Sequence, residues 1–120
     1  MVKSMANQSP ALDGVFRALA DPVRRSILAQ LCAGPASVSE LARPLDMSLP
    51  AVMQHLAVLE ETGLMRSQKV GRVRTCEVQT RALRAAEEWL GHQRTAWEVR
   101  LDRLEQHLSA VAPQNPDKES

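Results

Sequence analysis

The sequence predicts a mainly α-helical protein with a two-stranded β-hairpin and a long C-terminal helix. Apolar residues recur at the i, i+3, i+4, i+7 spacing of amphipathic helices through the first half of the chain. Around Gly71, β-forming residues replace that pattern. From Trp97 to Val111, apolar residues follow a 4, 3, 4, 3 spacing that is typical of a coiled-coil seam.

One domain is expected, because 120 residues with 44% apolar content support a single hydrophobic core. Residues 1–10 and 112–120 are polar and unpatterned, which predicts disordered tails around a folded segment over residues 11–111. No apolar run approaches the roughly 20 residues that span a bilayer. Two cysteines and no apolar leader favour a cytoplasmic protein with reduced thiols and no membrane partner.

Two helices are predicted before residue 34. An apolar stripe predicts the first, carried by Leu12, Val15, Phe16 and Leu19. Asp21 followed by Pro22 is a helix start signal, so the second helix is expected to begin there and to reach about Ala33. Gly34 and the proline after it end this second helix.

Two more helices are expected on either side of a tight break at residues 46–47. Ser37 or its neighbour is expected to cap a helix over residues 38–45. Ser48 is expected to cap the next helix, with Pro50 in its first turn and Gly63 at its end.

The rest of the chain predicts a hairpin and one long helix. Strands are expected at about residues 65–69 and 73–79, with the tip at residues 70–72. The long helix is expected over residues 81–111, with a kink or division at Gly91.

Charge and aromatic content limit the possible functions. There are three aromatic residues and no tyrosine, which argues against an immunoglobulin-like sandwich or a base-stacking RNA module. The net charge of +1 is low for a nucleic-acid-binding protein. However, residues 62–84 hold six basic residues and one acidic residue, Glu77, giving a local charge of +5. Phosphate binding needs such local density, although a solvated hairpin rich in arginine is the alternative.

The order of elements has the proportions of a helix-turn-helix followed by a β wing, so the sequence predicts a winged helix-turn-helix that binds DNA. Gln54 is suited to an adenine edge and the small apolar residues to thymine methyl groups. Leu49 and Met53 have core packing as an alternative role, and His55 is expected to contact DNA rather than to catalyse. The predicted DNA-binding residues are Ser48, Leu49, Pro50, Ala51, Met53, Gln54, His55, Lys69, Arg72 and Arg74.

Over roughly residues 12–110 the chain resembles the ArsR family of winged-helix repressors. The matching segments are LADPVRRSIL at residues 19–28, VSELA at 38–42, SLPAVMQHL at 48–56 and LEETGL at 59–64. The segment WEVRLDRL at residues 97–104 resembles the branch that lacks metal ligands. Family members often carry polar residues at the positions of Leu49 and Met53, which favours apolar or shape-based contact here.

The apolar seam of the long helix needs a partner, because it is too large to leave in water. The resemblance implies a homodimer through the first and last helices, with two operator half-sites about 34 Å apart. A long helix that folds back on its own domain is the alternative. The predicted interface residues are Leu12, Val15, Phe16, Leu90, Trp97, Leu101, Leu104 and Leu108.

No metal or cofactor is expected. Ser37 and Ser39 stand where many relatives carry metal-binding cysteines, and hydroxyls do not replace thiolates for a soft metal. His92 and His107, fifteen residues apart on the long helix, are interpreted as part of a solvated polar face rather than a metal site.

For the two thiols, we expect a buried, structural Cys32 and an incidental Cys76. The sequence thus predicts a dimeric repressor of a palindromic operator, without a cofactor and with an unknown effector. A metal- or thiol-responsive sensor of the same fold and an interaction dimer without DNA binding are the alternatives. An enzyme is not expected, since no nucleophile–base set or phosphate loop appears.

Overall fold

The computed structural model describes residues 10–111 and contains five helices and three strands within them. The predicted tails at residues 1–10 and 112–120 lie outside the described residues except for Pro10, which is the first residue of the first helix and not part of a tail. The elements are α1 (Pro10–Leu19), α2 (Pro22–Ala33), β1 (Ala36–Ser37), α3 (Val38–Ala42), α4 (Leu49–Glu61), β2 (Met65–Val70), β3 (Val73–Val78) and α5 (Thr80–Val111). Within this range no helix is both long enough and apolar enough to cross a membrane.

Three side chains act as the N-caps of α2, α3 and α4, as the sequence predicted. Asp21 Oδ1 accepts the backbone N–H groups of Val23 at 2.8 Å and Arg24 at 3.1 Å. Ser37 and Glu40 form a capping box, in which each side chain accepts the other residue's backbone N–H. Ser48 Oγ accepts from the N–H of Ala51 at 3.3 Å. These caps fix where α2, α3 and α4 begin.

The third helix is shorter than predicted. It ends at Ala42, with Arg43 as its C-cap, and does not reach Leu45. Pro44 has no N–H to donate to the carbonyl of Glu40, so the helical hydrogen bonds cannot continue.

The core lies between α1, α2, α3, α4 and the sheet. Leu41 of α3 and the stripe Val52, Leu56 and Leu59 of α4 are buried, as the helical spacing predicted. Burying a leucine or valine side chain contributes about 1.5–3 kcal/mol, so these few residues orient α4 firmly. Its opposite face is left toward solvent.

The sheet has three strands rather than the predicted two. β3 pairs antiparallel with β2 on one side and with β1 on the other, where Ala36 lies opposite Cys76. A two-residue strand has no periodic signal, which explains why the sequence pattern missed it. Ser37 is both the last residue of β1 and the N-cap of α3, so it joins the sheet to the helix-turn-helix.

The hairpin of β2 and β3, called the wing here (residues 65–78), turns at Gly71 and Arg72. Gly71 has φ of 64°, and among the described residues no non-glycine residue has positive φ. A two-residue loop with positive φ at its first position alone is a type II′ turn, whose twist suits a hairpin.

The helix α5 is continuous through Gly91, so the predicted division there is wrong. The chain forms two compact units, one ending at Glu87 and the other beginning at Glu88. The first contains the helix-turn-helix and the wing, and the second contains the rest of α5.

The cysteine prediction is also wrong. Cys32 is exposed, whereas Cys76 is fully buried. The buried face of α2 is set by Ile27, Leu28 and Leu31, and Cys32 falls beside it. Cys76 lies on the face of β3 that packs into the core.

Candidate nucleic-acid interface

The first half of α4 presents a mixed polar and apolar surface to solvent. Leu49 is 55% exposed and Met53 is 41% exposed, so the alternative that these two residues pack in the core is excluded. Ser48, Pro50 and Gln54 are exposed too, and Ala51 is half-buried. All of these predicted contact residues therefore lie together at the N-terminal end of one helix, the part that enters the major groove in a helix-turn-helix.

His55 is half-buried and is held by a residue that the sequence did not single out. Its Nδ1 lies 3.3 Å from Nη1 of Arg24, at the start of α2. The signal for Arg24 was an Asp21–Arg24 pair at i, i+3, in which the carboxylate lies 3.9 Å from the guanidinium. His55 is thus anchored at the edge of the exposed surface of α4.

The wing carries like charges on directly opposed residues. Lys69 of β2 pairs in register with Arg74 of β3, on the same face as the buried Met65 and Cys76. That face packs against α4. Like charges directly across a strand pair destabilise a hairpin, so this arrangement has a folding cost that an anionic ligand would offset.

On the opposite face of the wing, a positive charge is paired with a negative one. Arg66 donates to Glu77 Oε2 at 3.1 Å across the strands. Among residues 10–111, neither Lys69 nor the turn residue Arg72 has a carboxylate within ion-pair distance. The excess positive charge of the wing is therefore on the α4 side and at the tip.

A hydrogen-bond network fixes the wing to α4. Ser67 Oγ donates to Glu60 Oε1 at 3.1 Å, and Arg74 Nη1 donates to Ser67 Oγ at 2.9 Å. Glu60 is a residue that sequence analysis missed. Its signal was an acid in the last turn of a helix, where the macrodipole is unfavourable unless a partner compensates.

Within residues 10–111, no three His, Cys, Asp or Glu side chains are close enough to hold a metal ion. The Ser37 hydroxyl is used in the capping box. Burial raises the pKa of the Cys76 thiol, which makes it a poor thiolate donor.

The part of α5 in the second unit has an exposed apolar seam. Leu90, Trp97, Leu101, Leu104 and Leu108 are all between 47% and 56% exposed. In α1, Leu12 and Phe16 are half-buried against the core. Val15 is only 3% exposed and belongs to the core of its own unit, so its predicted interface role is not supported by its position.

A helix-turn-helix, a basic wing and an exposed recognition helix together define a winged helix-turn-helix DNA-binding protein. Residues 19–68 match a family of helix-turn-helix domains. The chain is 42% identical over 73 residues to the HTH-type transcriptional regulator Rv2034 of Mycobacterium tuberculosis, covering 61% of this chain and 68% of that one. It is 27% identical over 79 residues to the transcriptional repressor SdpR of Bacillus subtilis, covering 66% and 88%.

The comparison with solved structures gives the same class of protein. A crystal structure of the ArsR family transcriptional regulator RHA00566 has 51% sequence identity and a TM-score of 0.72, covering 76% of this chain and 95% of that one. The chain belongs to the ArsR family and is a DNA-binding transcriptional regulator.

Proposed function

We propose that this protein is a homodimeric repressor that blocks a promoter by binding a palindromic operator in the cytoplasm. The first half of α4 enters the major groove, and the α4-facing side of the wing binds the adjacent phosphates. The observation that carries the proposal is the like-charge pair Lys69 and Arg74, in register beside the exposed end of α4. A basic surface next to a recognition helix is what duplex DNA requires.

Within this proposal, the side chains have distinct roles. The Ser48 hydroxyl and the backbone N–H of Leu49, at the start of α4, hold a phosphate, because a helix N-terminus attracts anions. Gln54 is exposed and has the amide geometry that pairs with adenine. Lys69, Arg72 and Arg74 contribute charge without sequence preference. The other proposed DNA contacts are Leu49, Pro50, Ala51, Met53 and His55.

The proposed dimer rests on the exposed seam of α5. Its apolar residues keep a seven-residue repeat from Leu90 through Trp97, Leu104 and Val111. Arg100 lies over the Trp97 ring at 5.7 Å, which still leaves more than half of that side chain in water. A second copy of the helix would bury this surface, and two-fold symmetry would match the two halves of a palindrome.

Selection of bound duplexes from a random pool tests the proposed DNA binding. We expect a palindrome with half-site centres about 34 Å apart, which is one helical turn. Recovery of no sequence, with the protein folded, would contradict the proposal and favour an interaction dimer that does not bind DNA.

Sedimentation equilibrium of two charge variants tests the dimer. Leu104→Glu is expected to give a monomer, because it places a carboxylate in the seam. Val99→Glu is the control, since Val99 is also apolar and 42% exposed but lies off the seam. If both variants remain dimeric, the α5 interface is wrong.

A further inference from the structure

Exposed apolar side chains of α4 line a groove beside the end of β3. Leu49 and Met53 from α4 and Val73 from β3 line a space of about 370 Å³, which residues 37–39 also border. Exposed apolar groups that cluster beside a proposed binding surface indicate a ligand with an apolar part.

The charges around the groove restrict what it binds. Arg72 and Arg74 line the same space. The occupant therefore combines an anionic group with small apolar groups close to it. Duplex DNA with thymine has both, since the C5-methyl of thymine is the apolar group that the bases present in the major groove.

The distance between the two α4 side chains is compatible with the distance between stacked bases. Leu49 and Met53 are four residues apart, so their Cβ atoms lie about 5–6 Å apart on one helix face. Successive bases are about 3.4 Å apart along the axis. The pair therefore spans one to two base steps.

We propose that this groove selects thymine, with Leu49 and Met53 against the C5-methyl groups of two thymines no more than two steps apart in each half-site. Arg72 and Arg74 bind the phosphates beside them. The inference rests on the proposed DNA binding and adds its sequence preference. A polar side chain at either position would be buried against a methyl group and would lose its hydrogen bonds to water without forming new ones, which is unfavourable.

Uracil scanning of the selected operator tests this preference. Each thymine is replaced in turn by uracil, which lacks only the C5-methyl, and affinity is measured by fluorescence anisotropy. We expect about fourfold weaker binding at one or two positions in each half-site, the value of one buried methyl-sized group. The wild-type protein is used, so the result does not depend on the folding of a variant.

A protein variant identifies which side chain contacts each thymine methyl. Leu49→Ala is expected to bind the thymine operator more weakly and to lose the uracil effect at one position, while the effect at the other remains. Because the same DNA is compared with both proteins, any change in DNA shape cancels. Gln54→Ala is the matched control from the same exposed surface and is expected to keep both uracil effects.

Three outcomes would overturn the inference. One is binding to the operator with no uracil effect at any position, which leaves the proposed DNA binding intact. Another is an uracil effect that persists fully in both Leu49→Ala and Met53→Ala. The third is saturable binding of decanoate, a probe with an apolar chain and a carboxylate, that is lost in Leu49→Ala while the uracil scan is flat. Failure to bind any DNA would instead contradict the proposed function itself.

Discussion

Arg24 Nε donates to the carbonyl of Ala18 at 2.9 Å, which joins the start of α2 to the end of α1. Its Nη2 donates to the carbonyl of Arg17, and Arg25 donates to that of Leu19 at 2.7 Å. The last carbonyls of a helix lack hydrogen-bond donors within the helix. These two arginines donate to the last carbonyls of α1. Since Arg24 also reaches His55, one guanidinium connects α1, α2 and α4.

Arg24→Lys is expected to lower the free energy of unfolding by about 1–3 kcal/mol, because an ammonium cannot replace several charge-assisted hydrogen bonds. Arg24 is shielded, with 15% of its side chain exposed. Urea denaturation followed by circular dichroism measures the change. Arg25→Lys is the control and is expected to cost less, since Arg25 is exposed and makes one such bond. Equal losses in both variants would contradict the connecting role of Arg24.

The double variant Lys69→Ala, Arg72→Ala is expected to weaken binding to all DNA sequences alike. Each phosphate contact contributes about 0.9 to the slope of log affinity against log salt, so the slope should fall by about 1.8. Arg66→Ala is the matched control, because Arg66 is paired with Glu77 on the other face of the wing. An unchanged slope in the double variant would show that the wing does not contact phosphates.

Lys69→Thr is expected to make the protein more stable while it binds DNA less well. The substitution removes a like-charge pair with Arg74 and places a strand-forming residue in β2. The gain in the free energy of unfolding should be about 0.2–1 kcal/mol. Thermal unfolding in low salt, where the repulsion is least screened, measures it. A loss of stability would mean that Lys69 is compensated in the folded hairpin.

The sequence predicted those parts of the fold that depend on neighbours along the chain. The caps at Asp21, Ser37 and Ser48 and the buried stripe of α4 were all predictable, because each depends on residues within one or two turns. The strand β1 was not, since the strand it pairs with, β3, lies some forty residues away. The burial of Cys76 and the exposure of Cys32 likewise depend on packing between distant elements.

The candidate site shows the same division. The contact residues of α4 and the wing could be selected from type and position, whereas Arg24 and Glu60 could not. Arg24 contacts the candidate residue His55 directly, and Glu60 reaches the candidate residue Arg74 through Ser67. The separation of the two wing faces needed the register, which places Lys69 opposite Arg74 and Arg66 opposite Glu77.

Acid is expected to destabilise the protein through its helix caps. The N–H of Arg24, together with that of Val23, holds the pKa of Asp21 below its usual 3.8, and the N–H and hydroxyl of Ser37 hold the pKa of Glu40 below its usual 4.5. Because the folded pKa values are lowered, the unfolded chain binds protons first as pH falls. The stabilisation is therefore full above the unfolded values and is lost as pH falls through them toward the folded values.

The acid limb of a stability–pH curve measures this contribution. Urea midpoints are compared from neutral pH down to about pH 3, below the unfolded values of both carboxyl groups. Asp21→Asn and Glu40→Gln keep an acceptor oxygen but do not titrate, so each should flatten the acid limb, and the double variant should flatten it further. An acid limb as steep in the double variant as in the wild type would place its origin in other groups.

The two thiols are expected to differ in reactivity by their positions alone. Cys32 is exposed, whereas Cys76 is buried and burial raises the pKa of its thiol, so little thiolate is accessible there. Titration of the native protein with a chromogenic disulfide should therefore release one equivalent quickly, and the second only in urea. Cys32→Ser should remove the fast phase and Cys76→Ala should keep it. Two fast equivalents in the native protein would mean that the wing opens away from α4 and exposes Cys76.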